Sequence, residues 1–516
     1  MSDRAAPAGG YRHLILTGVS AGIGAAAVCV MLWIVLHRHP RVMVIEEAVP
    51  EPGARVEAEA CWFEVPAGRA ADCGALVLPA SVAGQESRLR YVVFKAAAPA
   101  EPDPIVYVNG GPGDPVGLDP GNIRRWWEVT HAALWMQHRD VVIYDQRGVG
   151  VSTPRLDCPE LSQAGGRLFV ERLAPADSAG IWRDAASACR ERLAQQGLKL
   201  DTFNTESAVA DLELLLDGLG YRAWNLYGVS YGTRVVLNFM RTAGAERTRS
   251  VILDSVYPPD VEAYLESGTN AKSAFEQLEA HCAADHACSA ANPHLAEALD
   301  RALRIAGTAG FVVPVGLPGE APKSAAIDGG KLVEILFYGL YRWSDIRRLP
   351  AVITALSQGD AQPLVPLAQS AYETAASPES GYGAYLTSEC RDEYPFNPPD
   401  ELEKRAAALP AYRDFMLADL PVVACPVWPM GQAASWVREK VYSDLPVLLL
   451  AGDVDPITPP AWARRAAATL PHGTLFVFPG IGHGVVAAHA CASRLAAAFL
   501  ADPDRKPYAE CLLGLG

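Results

Sequence analysis

The 516-residue chain carries a formal net charge of −15, with 50% hydrophobic and 20% charged residues. That is globular composition with enough apolar content for a sizeable core, at a length that suits two or three domains or one large α/β core with an insertion. The acidic balance argues against nucleic acid, a polyanion, as a partner.

The first element is an apolar run without a charge, residues 14–36 (LILTGVSAGIGAAAVCVMLWIVL). About 20 helical residues span the hydrocarbon core of a bilayer, so the run predicts a single transmembrane helix. It separates a short cytoplasmic N-terminus, residues 1–13, from a proline- and acid-rich tether, residues 37–58. A cleaved signal peptide, which would release a secreted protein, is the alternative; the run is long for one and no small-residue cleavage site follows it. Of the 11 cysteines only Cys29 lies in this run. The others fall into near-neighbour pairs, Cys61 with Cys73, Cys158 with Cys189, Cys282 with Cys288, Cys390 with Cys425 and Cys491 with Cys511. Five disulfides are therefore expected, and with them an oxidising, extracytoplasmic compartment. No Cys-x-x-Cys occurs, which makes zinc or a redox dithiol the weaker reading.

Beyond the tether, RYVVF (90–94), PIVYVN (104–109) and DVVIYD (140–145) read as strands. The last two are nearly continuous apolar runs ending in Gly-rich loops, the pattern of buried parallel strands. ESAVADLELLLDGLG (206–220) has apolar residues at helical spacing and stops at a glycine. AWNLYG (223–228) then reads as a strand, YGTRVVLNFMRTAG (231–244) as a helix and SVILDSVYPP (250–259) as a strand closed by prolines. This alternation predicts an α/β fold with a doubly wound, mostly parallel sheet. From 261 to 440 helical patterns dominate, as in 273–282, 295–307 and 331–343. Strands resume at LPVLLLAG (445–452) and GTLFVFPG (473–480), flanking the helix 461–470. Residues 59–260 and 441–516 are thus expected to form one core, interrupted by a mostly helical cap, 261–440.

Gly-x-Ser-x-Gly occurs twice, around Ser20 and around Ser230. A serine nucleophile needs a strand directly before it and a helix directly after it, so that a strained turn lifts Oγ clear of the sheet. Ser230 has both. Ser20 lies inside the apolar run, and the glycines around it, Gly18, Gly22 and Gly24, lack the βαβ unit and downstream acid of a dinucleotide site. The nucleophile requires a base and an acid to orient that base, arriving on loops after later strands. GDVDPITPP supplies Asp455, with Asp453 as the alternative, and GIGHG supplies His483. An oxyanion hole requires two backbone donors. The residue after the nucleophile, Tyr231, is one candidate; the other is Gly111 in Asn109-Gly110-Gly111-Pro112-Gly113, just past PIVYV.

Together NGGPG (109–113), DQRGVGVS (145–152), the stretch from Thr205 to Thr233, GDVDPITPP and GHG, with SEC (388–390) and CPVWP (425–429), resemble the α/β-hydrolases of the prolyl aminopeptidase group, in its tripeptidyl-aminopeptidase-like branch. The resemblance runs from about residue 60 to the C-terminus. It implies a serine peptidase acting on peptides with a free N-terminus, without metal or other cofactor. Asp145 and Arg147 would be buried supports of the oxyanion loop, and Asn109 stands where such families often have His. Glu389, Asp392 and Glu393 in the cap are the candidates for holding the substrate ammonium. A carboxylesterase or lipase with the same triad is the rival reading, followed by a non-catalytic envelope protein.

Overall fold

The computed structural model describes residues 53–82, 85–96, 100–133, 136–378 and 381–513. The expected membrane helix, with Ser20 and Cys29, and all but the last residues of the tether lie outside these. Among the described residues no helix is long and apolar enough to cross a membrane.

In chain order the strands are β1 (Arg55–Glu59), β2 (Ala71–Val82), β3 (Gln85–Phe94), β4 (Glu101–Val108), β5 (Arg139–Tyr144), β6 (Trp224–Val229), β7 (Thr248–Asp254), β8 (Phe311–Val315), β9 (Lys323–Ile327), β10 (Val447–Gly452) and β11 (Gly473–Phe478). Nine form one sheet in the order β1-β2-β3-β5-β4-β6-β7-β10-β11; β8 and β9 make a separate hairpin. From β5 to β11 neighbours are parallel, whereas β1, β2, β3 and β5 pair antiparallel.

Successive strand residues point to opposite faces, and both faces are covered. Val106, Leu226, Val251 and Leu449 meet Leu212 and Leu215 of the helix Thr205–Leu219 and Val235 of the helix Tyr231–Phe239. Their neighbours Ile105, Tyr227, Ile252 and Leu450 meet Leu495 and Phe499 of the helix Ala490–Ala501 on the other side. The parallel strands stood out in the sequence because burial on both faces leaves no polar alternation. β1 (RVEAE) is too polar to be recognised that way, β2 is interrupted by Gly74 and Pro79, and RYVVF belongs to an antiparallel strand, β3.

The insertion contains the helices Ala263–Ala284, Leu295–Thr308, Gly329–Tyr341 and Tyr382–Asp392, among others, and the hairpin β8–β9. It does not pack alone. The helices Pro159–Val170 and Pro175–Gln195, from a stretch assigned to the core by sequence, turn their apolar faces to it. Phe169 stacks near Tyr372 at 5.7 Å between ring centroids, and Leu161 and Ala186 share a cluster with Leu386 and Trp428. The disulfides are Cys61–Cys73, Cys158–Cys189, Cys282–Cys288, Cys390–Cys425 and Cys491–Cys511.

The passage from β6 into the helix Tyr231–Phe239 is tightly packed. A side chain at Gly228 would stand 2.8 Å from the carbonyl oxygen of Gly232, and one at Gly232 would occupy the position of the Val108 carbonyl oxygen. Only glycine lets the strand, the turn and the neighbouring β4 approach this closely. Gly232→Ala is expected to lower stability by about 2–3 kcal/mol, since backbone cannot yield as a side chain can. An unchanged thermal unfolding midpoint would contradict this.

Candidate active site

Ser230 sits at the apex of that turn with φ 56° and ψ −126°. A non-glycine residue in this region costs on the order of 1–3 kcal/mol, held in place by the surrounding structure. The Ser230 N–H donates to the carbonyl of Asp254 at 3.0 Å, and the Thr233 N–H closes the turn onto the Ser230 carbonyl at 2.8 Å.

His483 follows β11 and Asp455 follows β10. His483 Nδ1 lies 2.7 Å from Asp455 Oδ2. The other carboxylate oxygen accepts the Ile457 and Thr458 N–H groups at 2.9 and 3.0 Å, and the Thr458 hydroxyl donates to Oδ2 at 2.6 Å. Burial pushes the Asp455 carboxyl up, but the attraction of His483 and these hydrogen bonds outweigh it and leave it below the ordinary carboxylate range. Asp453, the alternative acid, turns elsewhere: its Oδ2 meets Nε2 of His281 from the cap at 2.7 Å, and its Oδ1 accepts the Gly480 N–H at 2.7 Å. His483 Nε2, the nitrogen a serine hydroxyl would approach, is buried and has no hydrogen-bond partner among the described residues.

Sequence reasoning missed Asp254, which links the two halves of this arrangement. Its carbonyl holds Ser230, while its fully buried carboxylate accepts the N–H groups of Val485 and Val486 at 2.8 and 2.9 Å and the Tyr227 hydroxyl at 3.0 Å. The last residue of a buried strand gives no signal in the sequence beyond being polar.

The NGGPG loop lies against the nucleophile. The residue touching it is Gly110, where an added Cβ would be 3.1 Å from Ser230 Cβ, while Gly111, at φ 109°, folds the loop back so that a side chain there would meet the Gly113 and Asp114 nitrogens. Gly113 packs on the start of the helix Tyr382–Asp392, at Gly381 and Tyr385. Asn109 braces the loop, accepting from the Tyr107 hydroxyl at 3.1 Å and donating to the Asp114 carbonyl at 2.9 Å. The buried Asp145 carboxylate accepts the Val116 and Val151 N–H groups at 2.7 and 2.9 Å, and burial pushes it up to about 6. Arg147 forms a bidentate pair with Asp211 of the helix Thr205–Leu219, at 2.5 and 2.7 Å.

The three cap acids have different surroundings. Glu393 is committed to structure: Arg234 of the nucleophile helix and Arg438 pair with its Oε2, and Ala263 N–H and Asn397 Nδ2 donate to its Oε1. A carboxylate with both oxygens satisfied by buried cations and amides has no place for a substrate, which corrects its assignment to the ammonium. Asp392 likewise serves the helix Thr205–Leu219, accepting the Thr205 N–H at 2.7 Å. Glu389 accepts only from the Tyr264 hydroxyl, and burial followed by repulsion from Glu393 pushes it up to about 8.

Two acids without any sequence signal join Glu389. Burial and the neighbouring Asp419 push Glu334 up to about 7, and burial pushes Asp419 up to about 6, yet Glu334 is exposed and Asp419 half-buried. Asp419 acts through its charge on both Glu334 and Glu389, so the three carboxyls form one electrostatic group. Glu334, Tyr338 and Tyr341 share one face of the helix Gly329–Tyr341, and Tyr341 stacks on His483, 4.5 Å between ring centroids. Tyr385 senses both Asp419 and Glu389. Tyr341 thus touches the base, while Tyr338, one turn back on the same helix face, feels the charges of Glu334 and Asp419. On a helix surface, acids read as solvated charge until the opposing wall is known.

Glu393→Gln should cost about 3–5 kcal/mol at neutral pH, because it leaves two buried guanidiniums unpaired. The arginines hold the Glu393 carboxyl down against the burial that raises it, so its contribution is present above the unfolded-state value near 4.3. The difference between variant and wild type in denaturant melts should therefore shrink as pH falls below about 4.

The alpha/beta hydrolase fold family model matches residues 103–279, and that of the TAP-like protein family matches residues 410–511. The Escherichia coli (strain K12) protein YuaR is 23% identical over 79% of this chain and 79% of its own length. The tripeptidyl aminopeptidase of Streptomyces coelicolor is 25% identical over 69% of this chain, which spans 65% of that protein. A solved proline iminopeptidase from Mycobacterium smegmatis is 15% identical, covering 83% of this chain and 98% of that one, with a TM-score of 0.37, too low to carry an argument. The sheet and the strand–serine–helix turn are those of the α/β-hydrolase fold, and the two family matches support its TAP-like branch.

Proposed function

We propose that the chain is a serine exopeptidase that removes tripeptides from free peptide N-termini, acting outside the cytoplasm from a membrane anchor at residues 14–36. The observation that carries the reading is the helix face Glu334, Tyr338 and Tyr341. Seven residues at about 1.5 Å each set Glu334 about 10 Å along the helix from the tyrosine that stacks on the base. Three extended residues at about 3.4 Å each cover the same length. An ammonium held among Glu334, Asp419 and Glu389 would stabilise the ionised form of three carboxyls whose surroundings favour the protonated one, and would leave the third peptide bond at Ser230. The five disulfides support an oxidising compartment.

In this mechanism Ser230 Oγ attacks the scissile carbonyl as its proton passes to His483 Nε2, and Asp455 fixes the ring through Nδ1. The oxyanion accepts N–H groups from Tyr231, at the start of its helix, and from Gly111, with Gly110 held against the serine. The imidazolium then protonates the leaving amine as the C–N bond breaks. Water, activated by the same nitrogen, releases the tripeptide from Ser230.

A panel of aminoacyl, tripeptidyl and N-acetyl-tripeptidyl coumarin amides with a short p-nitrophenyl ester tests this. The free tripeptidyl amide should exceed the other two amides at least about 100-fold in kcat/KM, and Ser230→Ala should lose at least about 10⁴-fold. Preference for the ester over every amide would favour a carboxylesterase instead.

A second prediction concerns Glu389, which must ionise to pair with an ammonium. Because its carboxyl stays protonated up to about 8, KM for the free tripeptidyl amide should fall as pH rises from 6 towards 7.5. Glu389→Gln should abolish that trend and raise KM at least about tenfold, while leaving ester hydrolysis within about twofold. A pH-independent KM in the wild type would count against the ammonium site.

A further inference from the structure

Tyr341 ends the cap helix Gly329–Tyr341 directly on the catalytic loop. Its ring lies at 19° to that of His483, and its carbonyl accepts the His483 N–H at 3.1 Å. A side chain at Gly482 would run into the Leu340 carbonyl and stand 3.2 Å from Ile346 Cδ1. The cap and the loop that carries the base are therefore in backbone contact.

The other groups around the imidazole are anionic or polar. Asp455 and Thr458, from the loop after β10, meet Nδ1 at 2.7 and 3.1 Å. Asp254, at the end of β7, acts on His483 through its charge and pins Val485 and Val486 two and three residues further on. The aromatic face is what the cap adds. A ring face attracts a cation, more strongly when both are withdrawn from water. Imidazole becomes a cation only after it has taken the serine proton, so an aromatic stack favours the charged state that the reaction passes through over the resting one.

We infer that Tyr341 is a positioning residue for the catalytic base, holding the His483 ring in plane and stabilising its protonated form with the face of its own ring. This rests on the hydrolase reading of Ser230, His483 and Asp455. The ring and not the hydroxyl does the work, and the acyl transfer depends on the cap even for substrates too small to reach the acids.

The test is the rate at which a small fluorophosphonate labels Ser230, since phosphorylation of the serine needs the base but no peptide subsite. It is measured from pH 5 to 9 together with kcat and KM for the p-nitrophenyl ester. Tyr341→Phe should stay within twofold of wild type. Tyr341→Leu should lose about tenfold in labelling rate and in kcat with KM within twofold, and its half-maximal labelling should move to lower pH. Pentafluorophenylalanine at position 341 keeps the shape of Phe and removes the negative face, so it should behave as Tyr341→Leu even if the leucine variant folds poorly. Labelling of the fluorinated variant at the Phe rate, or equal loss in Tyr341→Phe and Tyr341→Leu, overturns the role of the ring while leaving the hydrolase reading intact. Failure of wild-type Ser230 to label overturns both.

Discussion

The turn between β6 and the helix Tyr231–Phe239 constrains everything around it. The backbone of β4 runs so close to Gly232 that no Cβ fits, and Ser230 must adopt a left-handed φ of 56° to enter the helix. Such a turn is tolerated only where its neighbours over-determine it. Here they are the Asp254 carbonyl on one side and the NGGPG loop on the other. Because Asp254 also fastens the start of the segment after His483, the strain at the serine and the placement of the base rest on the same buried residue.

Burial of charge is the second recurring device. Arg234 leaves the nucleophile helix to meet Glu393 of the cap, and both are almost completely enclosed. A pair of this kind contributes little to stability relative to apolar packing but is costly to break, so it fixes where the cap stands on the core. His281 and Asp453 make a second, more exposed joint between the cap and the loops after β10 and β11. Glu334, Asp419 and Glu389 are the opposite case. Burial outweighs the attraction of Lys331 on Glu334 and of Arg234 on Glu389, and their carboxyls rise. Within one cap, acids in direct ion pairs organise the fold, while acids without a direct ion pair among the described residues are raised by burial.

Much of the core was legible in the sequence because parallel strands buried on both faces leave uninterrupted apolar runs, as in β5 and β10. The elbow was legible because its glycines answer to local geometry: strand, serine and helix are contiguous. The antiparallel strands β1 and β2 were not, since the polar positions of β1 and the glycine and proline within β2 break the pattern, and the helices 159–170 and 175–195 gave no sign that they would join the cap. Membership of a layer depends on which apolar face a helix finds, and spacing along the chain does not record that.

The sequence by itself determined the α/β class, the serine that lies between a strand and a helix, and the histidine and pair of acids on later loops. It could do so because these features depend on residues adjacent in the chain. The tertiary structure decided what depends on residues far apart: that Asp455 and not Asp453 faces His483, that Glu393 is occupied by Arg234 and Arg438, and that Asp254 joins nucleophile to base. It alone brought Asp419 into electrostatic reach of Glu334 and Glu389, and Tyr341 onto the imidazole. An acid's role is set by what stands opposite it, and folding brings that partner from another part of the chain.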